Sequence, residues 1–101
     1  MASLTLPVVI DPEARDEFDG GYDYYEVQRA GLGESFANAV QVVFDRIESM
    51  PQLHRTVFGE IRRAVVYGFP YCVYSRQEES QIRVLSVFHT KRDPQNWQSR
   101  A

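Results

Sequence analysis

The chain has 101 residues, 44% of them hydrophobic, and a net charge of −3, which suits one domain with one core and excludes a two-domain arrangement. No segment approaches the ~20 consecutive apolar residues of a membrane span, and a single cysteine, Cys72, excludes an internal disulfide and a thiolate zinc site. The charge is unevenly divided, with residues 1 to 50 summing to −7 and residues 51 to 101 to +4, so the C-terminal half is the part suited to an anion or an acidic partner.

The opening stretch has no basic run before its apolar residues, and Asp11 and Glu13 follow at once. That pattern argues against a secretory signal and leaves the cytoplasm as the expected compartment. Val8, Val9 and Ile10 form a β-branched run that predicts a strand, and Asp11 followed by Pro12 reads as a helix N-cap with proline in the first turn. From Pro12 to about Ala30, the residues Ala14, Phe18, Tyr22 and Tyr25 recur at helical spacing. Gly20 and Gly21 fall in the middle of that helix, where each costs roughly 1 kcal/mol relative to alanine, and predict a kink or frayed turn.

The segment Gly31 to Gly33 predicts a helix stop, and Phe36, Val40, Val43, Phe44 and Ile47 then mark the clearest amphipathic helix of the chain. Pro51 ends it, and the short connection predicts an antiparallel helical hairpin. Gln52 to Glu60 reads as a loop with an extended portion. Ile61 to Tyr67, Tyr71 to Arg76 and Gln81 to His89 are β-branched, turn-bounded runs that predict a three-stranded antiparallel meander, followed by a short helical tail from Pro94 to Arg100. The expected fold is α+β: an N-terminal strand, a two-helix hairpin laid over a small sheet, the meander and the tail, all within one domain spanning residues 1–101.

Polar chemistry gathers near the end of the last strand. His89 can exchange a proton near neutral pH, and Arg92, three positions on, can grip a phosphate in a bidentate manner. The competing expectation is that His89 bonds the adjacent turn while Arg92 pairs with Asp93. Arg62 and Arg63 are consecutive on a strand and must point to opposite faces, so only one of them can serve a given site. The alternation leaves open which of the two faces the helices, and a structural ion pair with Glu60 or a helix acid is an equal alternative.

Arg76 and Arg83 flank the Gln77 to Ser80 connection, where they could pair with Glu78 or Glu79 across the hairpin, and solvated strand-end charges are the preferred expectation. Cys72 in a strand is expected to be packing, and the six tyrosines are mostly at core-compatible positions. Trp97 lies in a polar tail, where it either anchors that tail on the sheet or stays available to a partner. The sequence carries no glycine-rich phosphate loop, paired-carboxylate spacing or Cys/His metal pattern.

The order and spacing of several short motifs carry a resemblance. They are Asp11-Pro12-Glu13-Ala14, the Gly31-Leu32-Gly33 break followed by Phe36, the helix end from Ile47 to Pro51, Arg62-Arg63, Phe69-Pro70-Tyr71, Val73-Tyr74, and His89 with Arg92-Asp93-Pro94 and Trp97. Together they resemble the RelE/ParE superfamily of type II toxin-antitoxin toxins, and in particular its ParE-like plasmid stabilisation branch. The resemblance implies a small toxin neutralised by a cognate antitoxin, acting on DNA gyrase or cutting messenger RNA on the ribosome, with no cofactor and no metal. It gives the basic half a rationale, with Arg62, Arg63, Tyr71, Arg83, Lys91, Arg92 and Trp97 as the expected surface for target or antitoxin.

Ribosome-dependent nucleases of the superfamily usually carry an arginine where this chain has Tyr71. A nuclease here is therefore reduced to His89 as acid/base with Arg62 and Arg92 as phosphate clamps. The resemblance thus favours target binding, most readily of gyrase, over message cleavage. A toxin fold retained only as a non-toxic binding module is the third expectation.

Overall fold

Pro12 fixes its own φ at a helical value and has no N–H to leave unpaired, so the chain turns directly from β1 (Val8–Ile10) into α1 (Pro12–Gln28). Residues 6–101 are described by the computed structural model. Asp11 occupies the expected cap position with extended backbone, but its side chain makes no cap bond to the helix. The carboxylate goes instead to Arg83 on the neighbouring strand, at 2.9 Å from Nε.

The helix runs unbroken through Gly20 and Gly21, contrary to the expected kink. A Cβ placed at Gly21 would stand 2.9 Å from the ring of Phe36 and 3.1 Å from the Tyr71 hydroxyl. The missing side chain is what lets both rings close on the helix backbone, so a local propensity loss is offset by aromatic packing. Phe36 is the hub of that packing, with ring centroids 5.6 Å from Phe18, 5.3 Å from Tyr25 and 4.9 Å from Tyr71.

The second helix, α2 (Leu32–Ser49), begins within the glycine segment read as a stop. Gly31 caps it at φ 90°, a conformation that only glycine adopts without strain. The Glu26 carboxylate accepts the N–H groups of Gly31 and Gly33 at 3.0–3.1 Å, supplying the cap from the preceding helix. Phe36, Val40, Val43 and Ile47 are buried, as their spacing requires.

The rest of the chain is β2 (Arg55–Phe58), β3 (Ile61–Val65), β4 (Tyr71–Gln77), β5 (Ile82–His89) and a short α3 (Gln95–Gln98). The expected three-stranded meander is extended by β2, which forms from the extended portion of the Gln52 to Glu60 loop. All four residues of β2 are exposed, so the alternation that marks a strand was missing from its sequence. The sheet order is β1-β5-β4-β3-β2, antiparallel except for the parallel pair β1–β5, which makes it a mixed sheet.

Each face of this sheet carries a core. One is packed under the helix hairpin, with Ala64, Val66, Tyr71, Val73, Ile82, Val84 and Val87 meeting Ala14, Tyr25, Phe36, Val40 and Ile47. The other is small: Ile61, Leu85 and Phe88 are covered by Trp97 from the C-terminal tail. Trp97 is only 2% exposed and its ring stacks on Tyr74 at 4.0 Å, so it anchors the tail. The remainder of this second face, toward β2 and β3, has no layer over it among the described residues.

Candidate functional site

The residues expected to perform acid/base chemistry do not converge. His89 pairs across the sheet with Tyr71, its ring 5.1 Å from that of Tyr71 on the helix-covered face, and its Nδ1 accepts the Lys91 N–H at 3.1 Å. Arg92 folds back on the opposite face, its guanidinium 5.4 Å from the centre of the Phe88 ring. Phe88 and His89 are consecutive in β5, so the pleat itself separates the imidazole from the guanidinium. Asp93, offered as the alternative partner of Arg92, accepts the Gln95 N–H at 3.0 Å instead.

Arg62 lies at the far end of β3, across from Ser75 rather than from Tyr71. Four residues of strand put it on the order of 13 Å from the His89 level. It shares the helix-covered face with Ala64, and its Nη1 donates to the His54 carbonyl at 2.7 Å, fastening the connection between α2 and β2. Neither Glu60 nor a helix acid pairs with it among the described residues. His54 itself is held below the ordinary histidine range by burial, with Arg46 and Arg62 adding to the effect.

Several of the expected contact residues are likewise engaged in structure. Tyr71 is buried in the aromatic cluster, and burial raises its hydroxyl pKa. Arg83 is held by Asp11 at 2.9 Å, with Glu78 at 3.9 Å as a second, weaker partner. Arg76 takes Glu78 at 3.2 Å, Arg15 takes Asp19 at 3.5 Å and Arg100 takes Glu17 at 3.4 Å.

What remains at the second face is a group of cations without acidic partners among the described residues. Arg55 on β2 and Arg63 on β3 are direct cross-strand neighbours, so two guanidinium-bearing side chains leave the sheet side by side on the same face. Arg63 and Arg92 both line a cavity of about 340 Å³ whose walls include Tyr74, Phe88 and Trp97. Burial raises the Tyr74 hydroxyl pKa, opposed in part by the charge of Arg63. Lys91 is exposed one residue before Arg92.

Arg55 lies in a segment whose sequence reads as a loop with an extended portion and not as a paired strand, so nothing next to it singles it out. The two-residue connection Gly59-Glu60 before a β-branched run was the available signal, and Gly59 does take φ 58° there. A second feature, also unforeseen, is an apolar groove between α2 and the β1–α1 corner. Two adjoining cavities of about 320 and 210 Å³ share Ile10, Gln41 and Phe44; Phe18 and Val40 line one, and Val8 with Glu48 the other.

A family model described as the ParE toxin of the type II toxin-antitoxin system parDE matches residues 8–94. The chain belongs to the ParE toxin family. The match takes in Arg55, Arg63 and Arg92 and ends before Trp97. A solved structure described as the chromosomal ParDE toxin-antitoxin system from P. aeruginosa is similar at a TM-score of 0.66, with 18% identity over 88% of this chain and 100% of that one. At that identity the likeness is one of fold, and it agrees with the α+β architecture. No significant match is found among curated proteins. A ParE-family toxin of a type II system has a cognate antitoxin as its partner. No helix of the described residues is long and apolar enough to cross a membrane.

Proposed function

We propose that this ParE-family toxin arrests growth by binding a macromolecular target in the cytoplasm, DNA gyrase by family analogy, with no bond-breaking chemistry of its own. The observation that carries this reading is the separation of the acid/base candidate from the free cations. His89 lies against Tyr71 on the helix-covered face, whereas Arg63 and Arg92 share a cavity on the other. Cleaving RNA without a metal needs a base, cations on the phosphate and an acid for the leaving oxygen at one place. A cluster of arginines with aromatic walls is a recognition surface instead.

The cognate antitoxin has a different place to hold. The groove along α2 has an apolar floor of Ile10, Phe18, Val40 and Phe44 and a polar rim of Asn38, Gln41 and Asp45. An amphipathic antitoxin segment that folds on binding fits those dimensions and that lining.

Purified protein added to gyrase and, separately, to translating ribosomes tests the reading. Inhibition of DNA supercoiling with messages left intact is the expected result. Ribosome-dependent cleavage of message that disappears in His89→Ala would instead establish the nuclease, and growth unaffected by expression of the chain would establish a non-toxic binding module. The product of the neighbouring reading frame, co-expressed with this chain, is expected to copurify with it and to restore growth.

A further inference from the structure

Among the described residues, five of the eleven basic side chains, Arg15, Arg62, Arg76, Arg83 and Arg100, are held by the protein's own acids or carbonyls; of the other six, Arg29 and Arg46 belong to the helix layer and Arg55, Arg63, Lys91 and Arg92 to the strands and the turn after them. Arg55, Arg63 and Arg92 all belong to the sheet face away from the helices, and none forms an ion pair among the described residues. Most of the acidic residues lie in the first half of the chain, which forms the helix layer. The charge division seen in the sequence thus becomes a division between the two sides of the sheet.

The Arg55/Arg63 pair is the informative part. Like charges directly opposite on neighbouring strands repel and destabilise the sheet, and Glu60, the nearest acid in sequence, joins neither of them. Beside Arg63 the surface turns apolar: Val65 is 67% exposed, Val57 39% and Phe58 44%. The cavity between Arg63 and Arg92 offers aromatic walls to an inserted side chain. Cations flanking an apolar pocket suit carboxylates that flank an apolar residue.

We infer that the open sheet face, built from Arg55, Arg63 and Arg92 around the Tyr74–Trp97 cavity, docks an acidic stretch of the target polypeptide. The inference rests on the reading that the toxin acts by binding. A polypeptide fits better than a nucleic acid because the chain as a whole is acidic, at −3. A phosphate backbone rewards an extended positive footprint, which the acidic helix layer interrupts. An acidic peptide needs only the local patch.

The test uses two labelled probes of equal length, octaglutamate and octauridylate, and the purified full chain. At about 0.15 M salt, where surface charges are screened beyond about 8 Å, octaglutamate is expected to bind more tightly and to shift the Trp97 indole resonance. The double variant R63A/R92A is expected to lose about tenfold in octaglutamate affinity, and similarly in gyrase inhibition, while its melting temperature and its copurification with the antitoxin stay as in the parent. The double variant R29A/R46A, with the same charge removed from the helix layer, is expected to behave as the parent.

Tighter binding of octauridylate, or unchanged octaglutamate binding by R63A/R92A, overturns the inference. If R63A/R92A still inhibits gyrase as well as the parent, the docking face is refuted while the binding reading survives. Message cleavage by the parent protein refutes the binding reading itself.

Discussion

Glu17 of α1 and Arg100 of the C-terminal tail meet 3.4 Å apart over the part of β5 that β1 does not reach. Pairing between β1 and β5 stops at Val84. Beyond it, Glu17 Oε1 accepts the Ser86 hydroxyl at 2.7 Å and the Val87 N–H at 3.2 Å, while Arg100 donates to the Leu85 carbonyl at 3.0 Å. Two side chains from distant parts of the sequence thus complete a strand edge that would otherwise leave backbone groups unpaired. Glu17→Ala removes the acceptor from both donors, and a loss of about 1–3 kcal/mol in urea unfolding is expected. Exchange of the Val87 amide should accelerate in the same variant. Glu17→Gln keeps an oxygen in place and is expected to lose less.

The paired glycines of α1 should respond in opposite directions. Nothing lies within 4 Å of a Cβ at Gly20, so Gly20→Ala gains the helical preference of alanine, about 0.5–1 kcal/mol. Gly21→Ala drives a methyl group into the Phe36 ring, and overpacking of that kind costs about 1–3 kcal/mol. Thermal midpoints of the two variants, measured together, should bracket the parent.

Trp97, the sole tryptophan, carries much of the second core. Trp97→Ala is expected to cost about 3–5 kcal/mol, because it removes the ring on which Tyr74 stacks and which Phe58 meets edge-on, and opens a cavity under the tail. Its native fluorescence should be blue-shifted and should move red when the tail is released. A red-shifted native spectrum would show that the tail is undocked in solution.

His54 sets a pH dependence of known sign. Burial first, then Arg46 and Arg62, lowers its pKa in the folded protein from the ordinary value of 6.5. The unfolded chain therefore takes up the proton first as pH falls. The stability difference is absent above the unfolded value and grows as a loss below about pH 6.5, until the folded pKa is passed. Between about pH 7.5 and pH 5 the parent should lose more of its melting temperature than His54→Gln. Equal slopes for the two proteins would exclude His54 as a contributor.

Elements whose signals are local were legible in the amino-acid order. The spacing of Phe36, Val40, Val43 and Ile47 is a property of one helix, the β-branched runs of β3 to β5 are properties of single strands, and the ordered motifs identify the family. That order also held the division of charge between the two halves of the chain. The rest followed from how the folded chain packs. Alternation along β3 requires that Arg62 and Arg63 part company, but it cannot say which face the helices cover. The parallel seating of β1 on β5, the claim of Asp11 on Arg83 from 72 positions away, and the burial of Trp97 depend on which distant segments the closed chain brings together. His89 and Arg92 are neighbours in sequence and lie on opposite sides of the sheet because a strand sends consecutive side chains opposite ways, and Arg92 follows Phe88 rather than His89.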